Sequence, residues 1–185
     1  LFELTKLDTE GDRNKNSPLE SLGRGTFIKE IESALIDGRI DLAIHSAKDI
    51  PIDLPTGVVV MGTVPRQDPR DVLVDRWSLP LDELPKNARI GTSSPRRTAQ
   101  IKERRPDIQF FPIRGNIGTR LTKSKGPDYD GIILAAAGLA RLGKLDQVAE
   151  YLPLKLSIPD VGQGILAVEF REEDTHLREM INRIS

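Results

Sequence analysis

The sequence predicts an α/β fold of two lobes, and three observations carry that prediction. Short runs rich in Val and Ile alternate with longer stretches whose apolar residues recur at helical spacing, the pattern of strands and helices taking turns along a chain. The stretch "PRQDPRDVLVDRWSLPLDELPKNARI" breaks that rhythm with proline and charge, and it reads as a crossover between lobes with a cleft between them. Hydrophobic residues make up 38% of the 185, enough for buried cores.

The elements follow in order. "FELTKLDT" alternates like a strand. "GTFIKEIESALIDGRI" places Ile28, Ile31, Ala34 and Leu35 on one helical face, and Gly38 stops the helix. In "DLAIHSAKDIP" a short apolar run reads as a buried strand, with the polar "HSAKD" at its carboxyl end. "GVVVMGTVP" is a further strand. "ARIGTSSPRRTAQIKERRP" reads as a strand, a tight turn and a helix ended by Pro106. "IQFFPIRGN" is a strand and "IGTRLTKSK" a helix, "YDGIILAAAGLARLG" is a strand running into a helix of small residues, and "GQGILAVEFR" and "EDTHLREMINRI" close the series as strand and helix. The pattern implies mixed, mostly parallel sheets.

Composition limits the chemistry. The 27 Lys and Arg nearly cancel the 28 Asp and Glu, leaving a formal charge of −1 and no global field to recruit nucleic acid or an anionic membrane. Anion binding must therefore be local. With no cysteine and two histidines, the chain offers no thiolate, no disulfide and no histidine-built metal site. His45 is expected to be a hydrogen-bonded structural histidine. No apolar run approaches the roughly 18 residues of a membrane span, and no secretory leader opens the chain, so a soluble cytoplasmic protein is expected. The chain begins abruptly at Leu1 without a methionine, so residues are expected in front of it, and a monomer is expected.

The local anion chemistry lies in three arginine clusters and one further polar stretch. In "GTSSPRR", Ser93 or Ser94 can cap a helix and Pro95 suits its first position, so Arg96 and Arg97 fall in the first turn. Cations there oppose the helix dipole by about 0.3–1 kcal/mol each. Free backbone N–H groups, hydroxyls and guanidinium forks together nevertheless make an anion site, whereas the plain alternative is a solvated surface pair. "IRGNIGTR" repeats the arrangement with Arg114 at a strand end and Arg120 a turn into the next helix, and Arg141 follows a third strand. In open α/β sheets ligands bind beyond the carboxyl ends of strands, so a small polyanion is implied. "HSAKD" adds Lys48, able to neutralise a carboxylate, and Asp49, able to act as an acid, a base or the counter-ion of a cationic intermediate. Its plain alternative is a loop with its charges in water.

Taken in order, "TEGD", "GRGTFIKEIESAL", "DLAIHSAKDIP", "RQDPRDVLV", "GTSSPRRTAQI", "RPDI", "RGNIGTRL", "YDGIILAAAGLARLG" and "VGQGILAVEFR" resemble the porphobilinogen deaminases, also called hydroxymethylbilane synthases. The resemblance implies three domains. The first two are built like the lobes of type II periplasmic binding proteins, here residues 1–66 with 163–185 and residues 67–162, and the third lies outside this chain. It implies a transferase that joins porphobilinogen units head to tail with loss of ammonia, giving hydroxymethylbilane for haem and other tetrapyrroles. By position in the family motifs, Lys48, Arg96, Arg97, Arg114, Arg120 and Arg141, with the hydroxyls of Ser46, Thr92, Ser93 and Ser94, would hold substrate or cofactor carboxylates. Asp49 would be the catalytic carboxylate, Phe27 part of a lid, and Arg66 and Gln163 hinge residues near the crossovers. The implied cofactor is dipyrromethane, covalently carried by a cysteine of the third domain. The chain as given cannot attach it, so by itself it is expected to be inactive. This sequence departs from the family in having "SPRR" where "SLRR" is usual, Leu22-Gly23-Arg24-Gly25 for a Gly-Gly-Lys-Gly loop, and Phe170 where "ECR" is common. The alternative function is a non-catalytic anion-binding protein of two lobes, or a deaminase relative that has lost activity.

Overall fold

The structure, a computed structural model, describes residues 3–5, 7, 28–62 and 65–183. Residues 22–25 and Phe27, singled out as a lid, lie outside the described residues, as does half of "FELTKLDT". The chain divides into two compact units, Leu1–Arg66 with Ile165–Ser185, and Gln67–Gly164. Among the described residues no helix is long and apolar enough to cross a membrane.

In the first unit, helix α1 (Lys29–Ile36) buries Ala34 and Leu35. It ends at Gly38, whose φ of +69° lets its N–H reach the Leu35 carbonyl while the Arg39 N–H reaches that of Ala34. Glycine adopts this left-handed geometry without steric cost, which is the stop the sequence predicts. Strands β1 (Leu42–Ser46), β2 (Val58–Gly62) and β8 (Leu166–Arg171) form an antiparallel sheet in the order β1-β8-β2. Val168 and Phe170 of β8, with Leu42, Val59 and Met61, receive Leu177 and Ile181 of helix α5 (Thr175–Asn182). Arg171 closes the unit by donating to the carbonyl of Leu35 in the last turn of α1, where a cation is favoured by the helix dipole, and to that of Ile40 beyond the turn.

The second unit is a five-stranded sheet in the order β5-β4-β6-β3-β7, built from β3 (Asp71–Asp75), β4 (Arg89–Gly91), β5 (Gln109–Phe111), β6 (Gly131–Ala135) and β7 (Glu150–Tyr151). Leu73, Ile90 and Ile133 pack on one face with Ile101 of helix α2 (Pro95–Arg104). Val72, Val74, Ile132 and Leu134 pack on the other with Leu121 of α3 (Ile117–Ser124) and Leu139 of α4 (Ala136–Arg141). Because both faces are covered, "VLV" of β3 and "IILA" of β6 read as unbroken apolar runs and not as alternating ones.

Two points differ from the sequence reading. The proline-rich stretch assigned to a crossover contains β3, a central strand buried along most of its length, which the charges flanking its three apolar residues conceal. The sheets are mixed, but parallel pairing is limited to β4 with β5 and β6, and the other ladders among the described residues are antiparallel.

Candidate functional site

The parallel trio fixes the site's location within the second unit. Since β5, β4 and β6 are adjacent and parallel, their carboxyl ends lie along one edge of the sheet. Residues 92–97 leave β4 there, residues 112–120 leave β5, and α4, ending at Arg141, leaves β6. The backbone ties two of these loops together. The Thr92 N–H donates to the Phe111 carbonyl at 2.9 Å, and the Ser93 hydroxyl both donates to the Ile113 carbonyl (2.9 Å) and accepts from the Ile113 N–H (3.0 Å). Thr92 Oγ1 accepts from the Ser94 N–H at 3.2 Å. Thr92 and Ser93 thus shape the loops with their hydroxyls.

Ser94 caps α2 by accepting from the Arg97 N–H, and Pro95 occupies the first turn, as the sequence predicts. Asn116 caps α3 in the same way, accepting from the Thr119 N–H at 2.8 Å. Gly115 precedes it at φ +114°, where a Cβ would lie 2.7 Å from the Thr119 methyl, so glycine is what lets this loop fold back tightly. Arg120 donates to the Gly115 carbonyl at 2.7 Å and Lys123 to that of Arg114 at 3.1 Å. Arg141 is exposed and donates to the Gly164 carbonyl at 2.9 Å.

The arginine pair of α2 is held by an internal acid that sequence reasoning missed. Asp71, at the start of β3, is fully buried. Its Oδ1 accepts from Arg97 Nε (2.9 Å) and Nη2 (2.7 Å) and from Gln163 Nε2 (3.0 Å), and its Oδ2 accepts from Arg96 Nη1 (2.9 Å) and the Ser157 hydroxyl (2.8 Å). Burial alone would raise the Asp71 pKa, but the charge of Arg97 and the hydrogen bonds from Arg96, Arg97 and Gln163 outweigh it and hold the carboxyl below its ordinary value. Gln163 also donates to the Pro69 carbonyl at 2.6 Å, fastening both segments by which the chain enters and leaves this unit. The arginines and Gln163 stood out in the sequence, but the only signal of Asp71 itself was an acid opening the apolar run of "RDVLV".

Ser46, Lys48 and Asp49 belong to the other unit. Ser46 ends β1, and Lys48 and Asp49 form a single 3-10 turn directly after it, Asp49 exposed and Lys48 half-buried. Behind them, His45 Nε2 and Glu169 Oε2 are 2.9 Å apart and almost wholly buried, so the histidine has the structural partner expected of it. Arg66 is exposed at the end of the first unit's leading segment. No group of His, Asp and Glu that could hold a metal occurs among the described residues.

Comparison with known proteins identifies the family. The family model described as "Porphobilinogen deaminase, dipyromethane cofactor binding domain" matches residues 1–179. The porphobilinogen deaminase of Paenibacillus macerans is 48% identical over 182 residues, which is 98% of this chain and 56% of that protein. That of Geobacillus kaustophilus is 49% identical over 186 residues, covering 100% of this chain and 60% of the relative. The chain therefore spans a little over half the length of the curated relatives it matches. The sulfate-bound regulatory domain of an OxyR2 E204G mutant from Vibrio vulnificus superposes with a TM-score of 0.51 at 14% identity, over 85% of this chain and 74% of that one, a likeness that bears on the fold alone. From the match along residues 1–179 and the identity of nearly half, the chain belongs to the porphobilinogen deaminase family.

Proposed function

We propose that this chain supplies the carboxylate-binding part, and the catalytic acid Asp49, of an enzyme that condenses porphobilinogen units into hydroxymethylbilane with loss of ammonia. The observation that carries this reading is the placement of three arginine-bearing segments at the carboxyl ends of three adjacent parallel strands. Each porphobilinogen carries an acetate and a propionate, and guanidinium forks pair such groups in two-point geometry. Arg96, Arg114, Arg120 and Arg141 take this role, with Lys48 as a further cation.

A dipyrromethane cofactor bears the same acid side chains, and the donor set suits them. Arg96 Nε is buried without a hydrogen-bond partner, an orphaned donor of the kind a ligand carboxylate would satisfy. When bound, the cofactor supplies the pyrrole carbon from which the product grows. The 185 residues contain no cysteine to anchor it, so the chain by itself is expected to be inactive. A near-neutral net charge fits a small-molecule substrate and not nucleic acid, and we place the protein in the cytoplasm as a monomer.

Loss of ammonia from porphobilinogen leaves a cation conjugated with the pyrrole nitrogen. Asp49 accepts from the pyrrole N–H and stabilises that charge, while the arginines keep the acid side chains still. Removing a preorganised partner of this kind costs about 2.7–4 kcal/mol, a rate loss of about 10²–10³. In the natural full-length protein Asp49→Asn is expected to bind porphobilinogen and lose turnover to that extent, with Asp49→Glu intermediate. If both variants turn over within about twofold of the parent, Asp49 lies in a solvated loop and the assignment fails.

A further inference from the structure

We propose that Asp71 is the positioning residue of the anion site, a buried carboxylate that fixes Arg97 as an internal strut and aims Arg96 at the ligand. This rests on the carboxylate-binding reading above and divides the labour of two adjacent arginines that the sequence presents as equals.

Arg97 is spent on the protein. Its side chain is 7% exposed; Nε and Nη2 go to Asp71 Oδ1, and Nη1 donates to the Ile133 carbonyl at 3.0 Å in the middle of β6. All three of its nitrogens have internal acceptors within the sheet it stands on. Arg96, one residue earlier, is 24% exposed and touches the other oxygen of the same carboxylate through Nη1, which also donates to the Ile158 carbonyl. Its Nε has no hydrogen-bond partner. Ile158 is in turn held from both sides by Gln100, whose Oε1 accepts from the Ile158 N–H at 2.8 Å and whose Nε2 donates to the carbonyl at 3.2 Å. One nitrogen of Arg96 is thus tethered at a built point and another donor is left over.

Asp71 is itself immobilised. Ser157, fully buried, donates to Oδ2, and Gln163, 1% exposed, donates to Oδ1. A carboxylate with five donors on two oxygens has no freedom to follow Arg96, so Arg96 takes its direction from Asp71. Without Asp71, Arg96 would keep its charge and lose its aim. The ligand this favours is a carboxylate offered to the Nε edge of Arg96, where two-point pairing demands a fixed guanidinium plane.

The test is a double-mutant cycle in the natural full-length protein, read as KM for porphobilinogen alongside kcat and the thermal midpoint. Arg96→Gln should raise KM about 10-fold to 100-fold. If it does not, the carboxylate reading fails at this residue and takes the proposal with it. Asp71→Asn keeps the shape and removes the charge. It should raise KM to a similar degree, and the double variant should be no worse than Arg96→Gln within about twofold, because both changes remove the same contact. Losses that multiply in the double variant, or a lowered midpoint with unchanged KM, would show a structural acid only and overturn the proposal. Should Asp71→Asn fail to fold, Ser157→Ala removes a single hydrogen bond from Oδ2. An increase in KM of about fivefold that vanishes in the Arg96→Gln background supports the proposal, and an unchanged KM overturns it.

Discussion

Replacing Arg97 by methionine should damage the second unit far more than replacing Arg96, although the two are neighbours with the same charge. Arg97→Met leaves Asp71 buried with its main counter-ion gone and the Ile133 carbonyl without its side-chain donor. Breaking a buried pair by removing one partner costs about 3–5 kcal/mol. Arg96, Ser157 and Gln163 still bond to Asp71, which places the expected loss near the lower limit, about 3 kcal/mol. Arg96→Met leaves Asp71 neutralised by Arg97, so it removes a hydrogen bond without leaving an unpaired buried charge; it also removes a cation that opposes the α2 dipole by about 0.3–1 kcal/mol, and Gln100 still holds Ile158, so its net cost is about 1 kcal/mol or less. The difference, about 2 kcal/mol, is roughly 30-fold in the unfolding equilibrium. Urea unfolding followed by fluorescence reads it cleanly, because Trp77 is the chain's single tryptophan and lies in this unit. The midpoints should separate with equal m values. Equal midpoints for the two variants, or an Arg97→Met protein within about 1 kcal/mol of the parent, would refute the assignment of Arg97 as an internal strut.

Two acids predict opposite pH behaviour. Asp71 has a folded pKa below its ordinary 3.8, so its contribution to stability is complete above about pH 4 and is lost as pH falls through the folded value. Acid titration of Trp77 fluorescence should show this loss, and Asp71→Asn should lack that acid arm. Glu32 is raised above its ordinary 4.5, first by burial and then by the charge of Glu169, so it favours the folded state below 4.5 and ceases to do so as pH rises through the folded value. Glu32→Gln should therefore raise the thermal midpoint at pH 7 and leave it unchanged at pH 4, and a lower midpoint at pH 7 would contradict the account.

Local rules made part of this molecule legible. The Ser94 cap, Pro95 in the first turn of α2 and the stop at Gly38 depend on hydrogen bonds and backbone geometry within a few residues, so the string alone carries them. The apolar runs of β6 and β8 announce strands for the same reason. What stayed hidden depends on distant partners. Asp71 lies 26 positions from Arg97 and 86 from Ser157, and Glu169 lies 124 from His45. Nothing in one sequence says which acid meets which base once the sheet forms. Strand β3 was hidden because its terminal aspartates are buried or turn-forming, Asp75 accepting from the Trp77 N–H at 2.7 Å, and so look like loop residues. The arginines that follow β4, β5 and β6 were visible as three separate clusters, and the parallel pairing of those strands is what makes them neighbours along one edge.

The measurement closest to the central claim is turnover of porphobilinogen by the natural full-length protein, with ammonia and bilane followed together, in the parent and in Arg96→Gln and Arg114→Leu variants that keep the parent's thermal midpoint. Arginines that hold the substrate's acid side chains predict one ammonia released per porphobilinogen consumed, four per bilane formed, and a loss in kcat/KM of about 10-fold or more in each variant. A parent that leaves porphobilinogen unconsumed, or variants that turn it over at the parent's rate, would contradict it.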